Sequence, residues 1–191
     1  MEWLVASICR DRTGRVWSSM KGRTVHSMGL HSVAWPRDGL ILSSGCSGEL
    51  LSWDLARPGK RGGSEFTIIH REHFKNLFSI SCTKDMVYTV GQDRTLVATS
   101  FSSSRLVFSL PCFAGFVYCL AINHIEPSTI AIGAGDGQIR VWRMVGREMF
   151  CMTCIHDKMN QSKVMSLAWH PHREGLLAFG TYEGRVGWVE S

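Results

Sequence analysis

One short pattern recurs along the chain and limits what it can fold into: an acidic or small polar residue, a tight turn, then an alternating strand closing on an aromatic. It stands at Asp11 to Trp17, Ser47 to Trp53 and Asp136 to Trp142, with degenerate copies at Asp93 to Thr99 and Glu183 to Val189. The closing residues Trp17, Trp53, Thr99, Trp142 and Val189 lie 36, 46, 43 and 47 residues apart. That is close to the period of about 40 to 45 residues that marks the four-stranded blades of a WD-repeat β-propeller. Each unit also carries a half-buried strand, a Pro/Gly/Asp turn, a small apolar strand and a Gly/Asp hairpin before the closing strand. His31 to Trp35, Leu40 to Ser44 and Glu49 to Asp54 form one such series, and Val117 to Ile122, Thr129 to Gly133 and Gln138 to Arg143 another. Period-two alternation between hairpin turns predicts antiparallel meanders.

Less regular fourth strands are predicted at Gly22 to Ser27, Glu65 to Ile69, Arg105 to Leu110 and Glu148 to Met152. No stretch of a dozen residues has helical periodicity, so the fold class is all-β. The units are a partial blade over 4–27, blades over about 31–69, 77–110 and 117–152, and a partial blade over 164–191. The first unit lacks its opening strand and the last its outer one. Propellers hide their edges by radial closure, so three complete blades between two partial ones are not expected to close alone. The remaining blades or a second chain would complete the ring.

Composition narrows the function classes. With 191 residues, 45% of them hydrophobic, the chain can bury a core. Its apolar runs, such as Trp3 to Ile8, are far shorter than the roughly 20 residues that span a bilayer, and no membrane partner is expected. Seven cysteines, an odd number scattered through apolar segments, read as reduced thiols of a cytoplasmic or nuclear protein rather than a disulfide framework. The net charge of +5 is dispersed and permits an anionic partner without requiring one.

Several motifs have plain structural readings. Gly133, Gly135 and Gly137 resemble part of a dinucleotide-binding loop, but Gln138 to Trp142 continues as a strand, so Asp136-Gly137 reads as a hairpin turn. Cys151 and Cys154, with His156 nearby, make a single CxxC; without a second pair they read as structural or surface thiols, and no metal or cofactor is expected. His170 and His172 flank Pro171 in a turn. No signature groups a nucleophile with its base, so the chain is not read as an enzyme. Trp17, Trp35, Trp53 and Trp142 are predicted to pack between blades.

A different set sits at strand entrances and loop tips: Lys75 with Phe78, Arg94, and Phe116 with Tyr118. Rings interleaved with cations suit single-stranded nucleic acid, because bases stack on rings while cations meet phosphates. The same residues also suit ordinary rim packing, or hot-spot anchors for a protein partner.

The stretches Ser43 to Leu55 (SSGCSGELLSWDL), Gly115 to Trp142 (GFVYCLAINHIEPSTIAIGAGDGQIRVW) and Ser162 to Gly187 (SKVMSLAWHPHREGLLAFGTYEGRVG) together resemble the WD-repeat Gemin subunit of the survival-of-motor-neuron (SMN) complex. The similarity spans nearly the whole chain and includes loop residues that differ between blades. It implies a position over the later blades of the first of two seven-bladed propellers and the start of the second. It also implies uridine-rich single-stranded RNA, the Sm site of small nuclear RNAs, as ligand, other SMN-complex proteins as partners, and a role in spliceosomal snRNP assembly and mRNA splicing. The RNA-contacting positions implied by the resemblance are Lys75 (arginine in the family), Phe78, Arg94, Phe116 and Tyr118. A cap-contacting tryptophan of the family aligns with Leu30, which lacks the flat π-face for a methylated base, with His31 beside it. The resemblance therefore implies RNA binding more strongly than cap binding.

Overall fold

The computed structural model describes residues 4–8, 14–20, 23–28, 32–45, 47–58, 64–146, 148–156 and 162–190. Among these residues there is no helix, and five antiparallel sheets follow one another along the chain. The first holds β1 (Leu4–Ile8), β2 (Gly14–Ser18) and β3 (Arg23–Met28). Next come three four-stranded sheets: β4 (Val33–Arg37), β5 (Leu40–Ser44), β6 (Leu50–Pro58) and β7 (Ser64–His70); β8 (Leu77–Cys82), β9 (Met86–Gly91), β10 (Thr95–Ser100) and β11 (Leu106–Pro111); β12 (Val117–Ile122), β13 (Thr129–Ala134), β14 (Gln138–Val145) and β15 (Glu148–His156). The last sheet has β16 (Val164–Trp169), β17 (Leu176–Thr181) and β18 (Val186–Glu190). Every sheet is a meander in chain order. This is the all-β architecture of three complete blades between two partial ones.

Some strands outrun the sequence reading. Strand β6 runs to Pro58 and β15 to His156. Strands β14 and β15 stay paired through a bulge between Val141 and Trp142 that absorbs the irregular CxxC segment.

Strands β4, β8, β12 and β16 pack side by side in a row, so they are the inner strands of successive blades. Hydrogen bonds tie this row together: the Ile80 amide donates to Ser32 Oγ at 3.1 Å and the Leu120 amide to Ser79 Oγ at 3.4 Å. Apolar clusters fill the gaps between sheets. Val16 meets Ile41, Leu51 and Trp53; Leu42 and Leu50 meet Leu77, Ile80 and Val87. Tyr88, Val90 and Leu96 meet Val117, Leu120 and Ile132, and Ile139 and Val141 meet Val164, Trp169 and Leu177.

The closing tryptophans face the preceding blade. Trp53 is 5% exposed with its indole Nε1 donating to Ser43 Oγ at 2.6 Å, and Trp35 and Trp142 pack half-buried against the inter-blade clusters. Trp17 departs from the sequence expectation at 39% exposure. Its neighbour Val16 is the residue that faces the second sheet, so alternation turns Trp17 to the other side, where no described sheet lies.

The glycine-rich run also resolves as structure. Gly137 takes φ +79° in the turn between β13 and β14, and no helix follows. Gly133 lies against both β12 and β16: a Cβ there would stand 2.5 Å from Val164 Cγ1 and 2.6 Å from Cys119 Sγ.

Candidate nucleic-acid interface

The inner strands of the third, fourth and fifth sheets each begin with one bulge. Leu77 pairs with Gly91 and Ser79 with Val90, leaving Phe78 as the extra residue. Tyr118 is left over between the pairs Val117–Ala134 and Cys119–Gly133, and Met165 between Val164–Thr181 and Ser166–Gly180. A bulge re-aims the side chain it carries. Here it turns Phe78 and Tyr118 toward each other across two blades, their rings stacked at 5.4 Å and 16°. Phe116, two residues before Tyr118, meets that ring edge-on at 6.4 Å and 73°. The three rings form a continuous half-buried row along the rim.

The turns between second and third strands of the same sheets open onto this row. Backbone bonds lock each turn to the residue before the inner strand, the Gln92 amide to Asn76 O, the Gly135 amide to Phe116 O and the Tyr182 amide to Lys163 O, each at 2.9 Å. Position by position, Arg94 therefore matches Gly137 and Gly184. The two glycines have φ of +79° and +82°, and Arg94 takes φ +64°. A left-handed backbone is routine for glycine and strained for arginine; such strain is concentrated at functional sites.

Two side-chain networks hold the turns, the first buried and the second partly open to solvent. In the third sheet His73 Nδ1 faces the Asp93 carboxylate at 2.9 Å and its Nε2 faces the Thr89 hydroxyl at 2.8 Å. Burial alone would raise the Asp93 carboxyl, but the bonds from His73 and Thr95 outweigh it and hold the group below its ordinary range. In the fourth sheet Asp136 is held the same way: burial opposes ionisation, and Arg140 at 2.6 Å overrides it. That ion pair neutralises a carboxylate that would otherwise face an anionic ligand.

Arg94, Phe116, Tyr118, Asp136 and Lys163 line an open recess of about 480 Å³ on this rim. Lys163 was not anticipated from the sequence. Its ammonium lies 5.9 Å from the Tyr118 ring centroid and 5.2 Å from that of Tyr182, itself also unanticipated and 71% exposed. The signal was present in the repeat, since aligning Leu77, Val117 and Val164 puts Lys163 in register with Phe116.

Of the residues singled out from sequence, Phe78, Arg94, Phe116 and Tyr118 come together. Lys75 is exposed on the same rim, three residues before Phe78, and no ring contact or ion pair joins it to the row among the described residues. Leu30 and His31 lie outside the described residues. A larger recess of about 680 Å³ lies at the opposite ends of the inner strands, with Trp35, Arg37, Lys84, Asp85 and Phe101 among its lining. Its charges are mixed, and Arg37 already covers the Phe101 ring at 5.2 Å.

The CxxC thiols are exposed, with Cys154 Sγ donating to Gln138 Oε1 at 2.7 Å. Cys112 and Cys119 are buried, and burial pushes both thiols up to about 12. Among the described residues no group of three or more His, Cys, Asp or Glu is placed to hold a metal. His170 Nδ1 accepts the His172 and Arg173 amides at 3.1 and 2.9 Å, which makes it a turn-former.

Comparison with known proteins agrees with the repeat. Residues 127–191 match the anaphase-promoting complex subunit 4 WD40 domain family, and residues 104–143 the WD domain, G-beta repeat family. Gem-associated protein 5 of Homo sapiens is 30% identical over 216 residues and that of Mus musculus 31%, in each case covering 96% of this chain. The chain spans 14% of the length of those relatives. Component of gems protein 5 of Dictyostelium discoideum is 32% identical over 107 residues, 53% of this chain and 8% of that protein. The crystal structure of the computationally designed Ika8 protein matches 98% of this chain, and 55% of that one, with a TM-score of 0.74 at 19% identity. That likeness speaks to the fold alone.

Proposed function

From the premise that this chain is a WD-repeat protein of the Gem-associated protein 5 kind, we propose that its rim binds single-stranded, uridine-rich RNA. The observation that carries this reading is the row Phe78–Tyr118–Phe116 beside Arg94 and Lys163. Three contiguous rings offer faces and edges to unpaired bases, while the two cations meet phosphates or base edges. Lys75 supplies a further charge on the approach to Phe78. The Arg140–Asp136 pair keeps the floor of the recess from repelling the backbone. By the same resemblance, the RNA is the Sm site of a small nuclear RNA, the partners are other SMN-complex proteins, and the setting is snRNP assembly in the cytoplasm and nucleus.

Fluorescence anisotropy with a labelled uridine heptamer, against a duplex of equal length and across a salt series, tests the reading. The single strand should bind better, because only unpaired bases can lie on rings. Ala at Phe78, Phe116 or Tyr118 should weaken binding by about 1–3 kcal/mol. Ala at Lys75 or Arg94, where the side chain meets a phosphate, should flatten the slope of log affinity against log salt by about 0.7. Equal affinity for strand and duplex, or five folded variants matching the parent, would remove the RNA reading and leave a scaffold that uses these anchors for proteins.

A further inference from the structure

The same backbone frame appears three times on the rim, but the chemistry placed on it changes. In the third sheet the paired positions are Asn76 and Gln92, both without a ring. In the fourth they are Phe116 and Gly135, and in the fifth Lys163 and Tyr182. Between the fourth and fifth sheets ring and small or charged residue thus trade places, so each of these two sheets keeps one ring on the frame while the strand that carries it changes. Gly135 has its own reason to stay small, since a Cβ there would stand 3.3 Å from Tyr118 Cε2 and crowd the platform.

Lys163 is the link. Its ammonium lies over both Tyr118 and Tyr182, so the two rings are no further apart than those two short distances together. Tyr182 is 71% exposed, and no aromatic neighbour covers it among the described residues. The turn behind it is fixed by the Gly184 amide donating to Thr181 O at 3.1 Å and the Thr181 amide donating to Arg185 O at 2.9 Å. A rigidly mounted, open ring beside a cation is the arrangement that takes one base and its phosphate.

We propose that Tyr182 and Lys163 form an additional nucleotide subsite, Tyr182 stacking one base and Lys163 holding its phosphate, which carries the bound strand from the third and fourth sheets onto the fifth. This rests on the reading of the rim as a single-stranded RNA surface. The cation between two rings favours a nucleic acid over a peptide, because it supplies charge and stacking at one spacing along a repeating backbone. Met165 occupies the bulge position that holds Phe78 and Tyr118 in the other sheets, so in the fifth sheet Tyr182 is the ring that remains for a base.

The test uses the full chain with labelled uridine tetramer and nonamer, the first short enough for the Phe78–Phe116 row and the second long enough to reach the fifth sheet. Tyr182→Ala should lower nonamer affinity by about 5- to 150-fold, the equivalent of one lost stack, and leave tetramer affinity within about threefold. Tyr182→Phe should keep both. Lys163→Met, which retains the aliphatic stem, should reduce the nonamer salt slope by about 0.7. Circular dichroism checks folding, and both side chains are exposed, so neither substitution removes core packing. If Phe78→Ala and Tyr118→Ala weaken both oligomers while Tyr182→Ala matches the parent on both, the subsite is overturned and the RNA surface stands. If the parent binds neither oligomer, surface and subsite fall together.

Discussion

Ser43 accepts the buried Trp53 N–H at 2.6 Å, whereas the Trp142 N–H is buried with no acceptor among the described residues. Ser43→Ala should therefore destabilise the fold by about 1–3 kcal/mol, because it strands a buried donor. Trp142→Phe removes a donor that had nothing to lose, so it should fall well short of the about 3–5 kcal/mol expected for Trp142→Ala; urea midpoints of the three variants decide. His70 gives a pH signature. Burial, reinforced by neighbouring His73, lowers it to about 4, against about 6.5 when unfolded. Below about 6.5 the unfolded chain takes up a proton that the folded one refuses, so stability should be intact above that pH and fall progressively toward about 4. His70→Gln should flatten this part of the curve, leaving the later loss below about 4 that comes from the lowered carboxyls of Asp93 and Asp136. Thermal melts from pH 7 to 3 separate the two windows. At this scale the sequence made Phe78, Phe116 and Tyr118 legible as rings interleaved with the cations Lys75 and Arg94 at strand entrances and loop tips. Tyr182 escaped notice because its neighbours Glu183 and Gly184 read as an ordinary turn, and Lys163 because a lone lysine carries no pattern.

The turns and bulges explain both what was readable and what was not. Strand periodicity and Asp-Gly turns place the hairpins, yet a bulge leaves no mark in a run such as Leu77 to Cys82, since each residue there suits a strand equally well. Only the pairing shows that Phe78 and Tyr118 are the unpaired residues. Arg94 is the element-scale test. Arg94→Gly relieves a left-handed residue and should stabilise the fold by about 1 kcal/mol while weakening RNA binding; denaturant midpoints and anisotropy on the same samples should move in opposite directions. Gly133→Ala should do the reverse, since the added methyl meets Val164 and Cys119. It should destabilise by about 1–3 kcal/mol with RNA affinity unchanged in the folded fraction. Pairing with Val164→Ala should return part of the loss.

Across the whole molecule, Trp53 and Trp142 offer closing rings to the blade before them, and the two outer faces of the five-sheet stack are unlike. One presents Trp17, 39% exposed, and the other Val186 and Trp188, 84% and 76% exposed. Strands β1 and β18 also lie at open edges of their sheets among the described residues, and open edges invite pairing. The chain on its own should accordingly associate, and sedimentation velocity over a concentration series should reveal species heavier than the monomer; a single sharp monomer boundary with a cooperative melt would contradict this. The unlike faces give the stack a polarity, as a magnet has poles. Two copies meeting through them must join head to tail, a heterologous contact that either closes into a ring or runs on as a filament, whereas a symmetric pair would have to press two identical faces together. Because every copy in such an array keeps its rim on the same side, the aromatic rows of successive copies would fall on one continuous track.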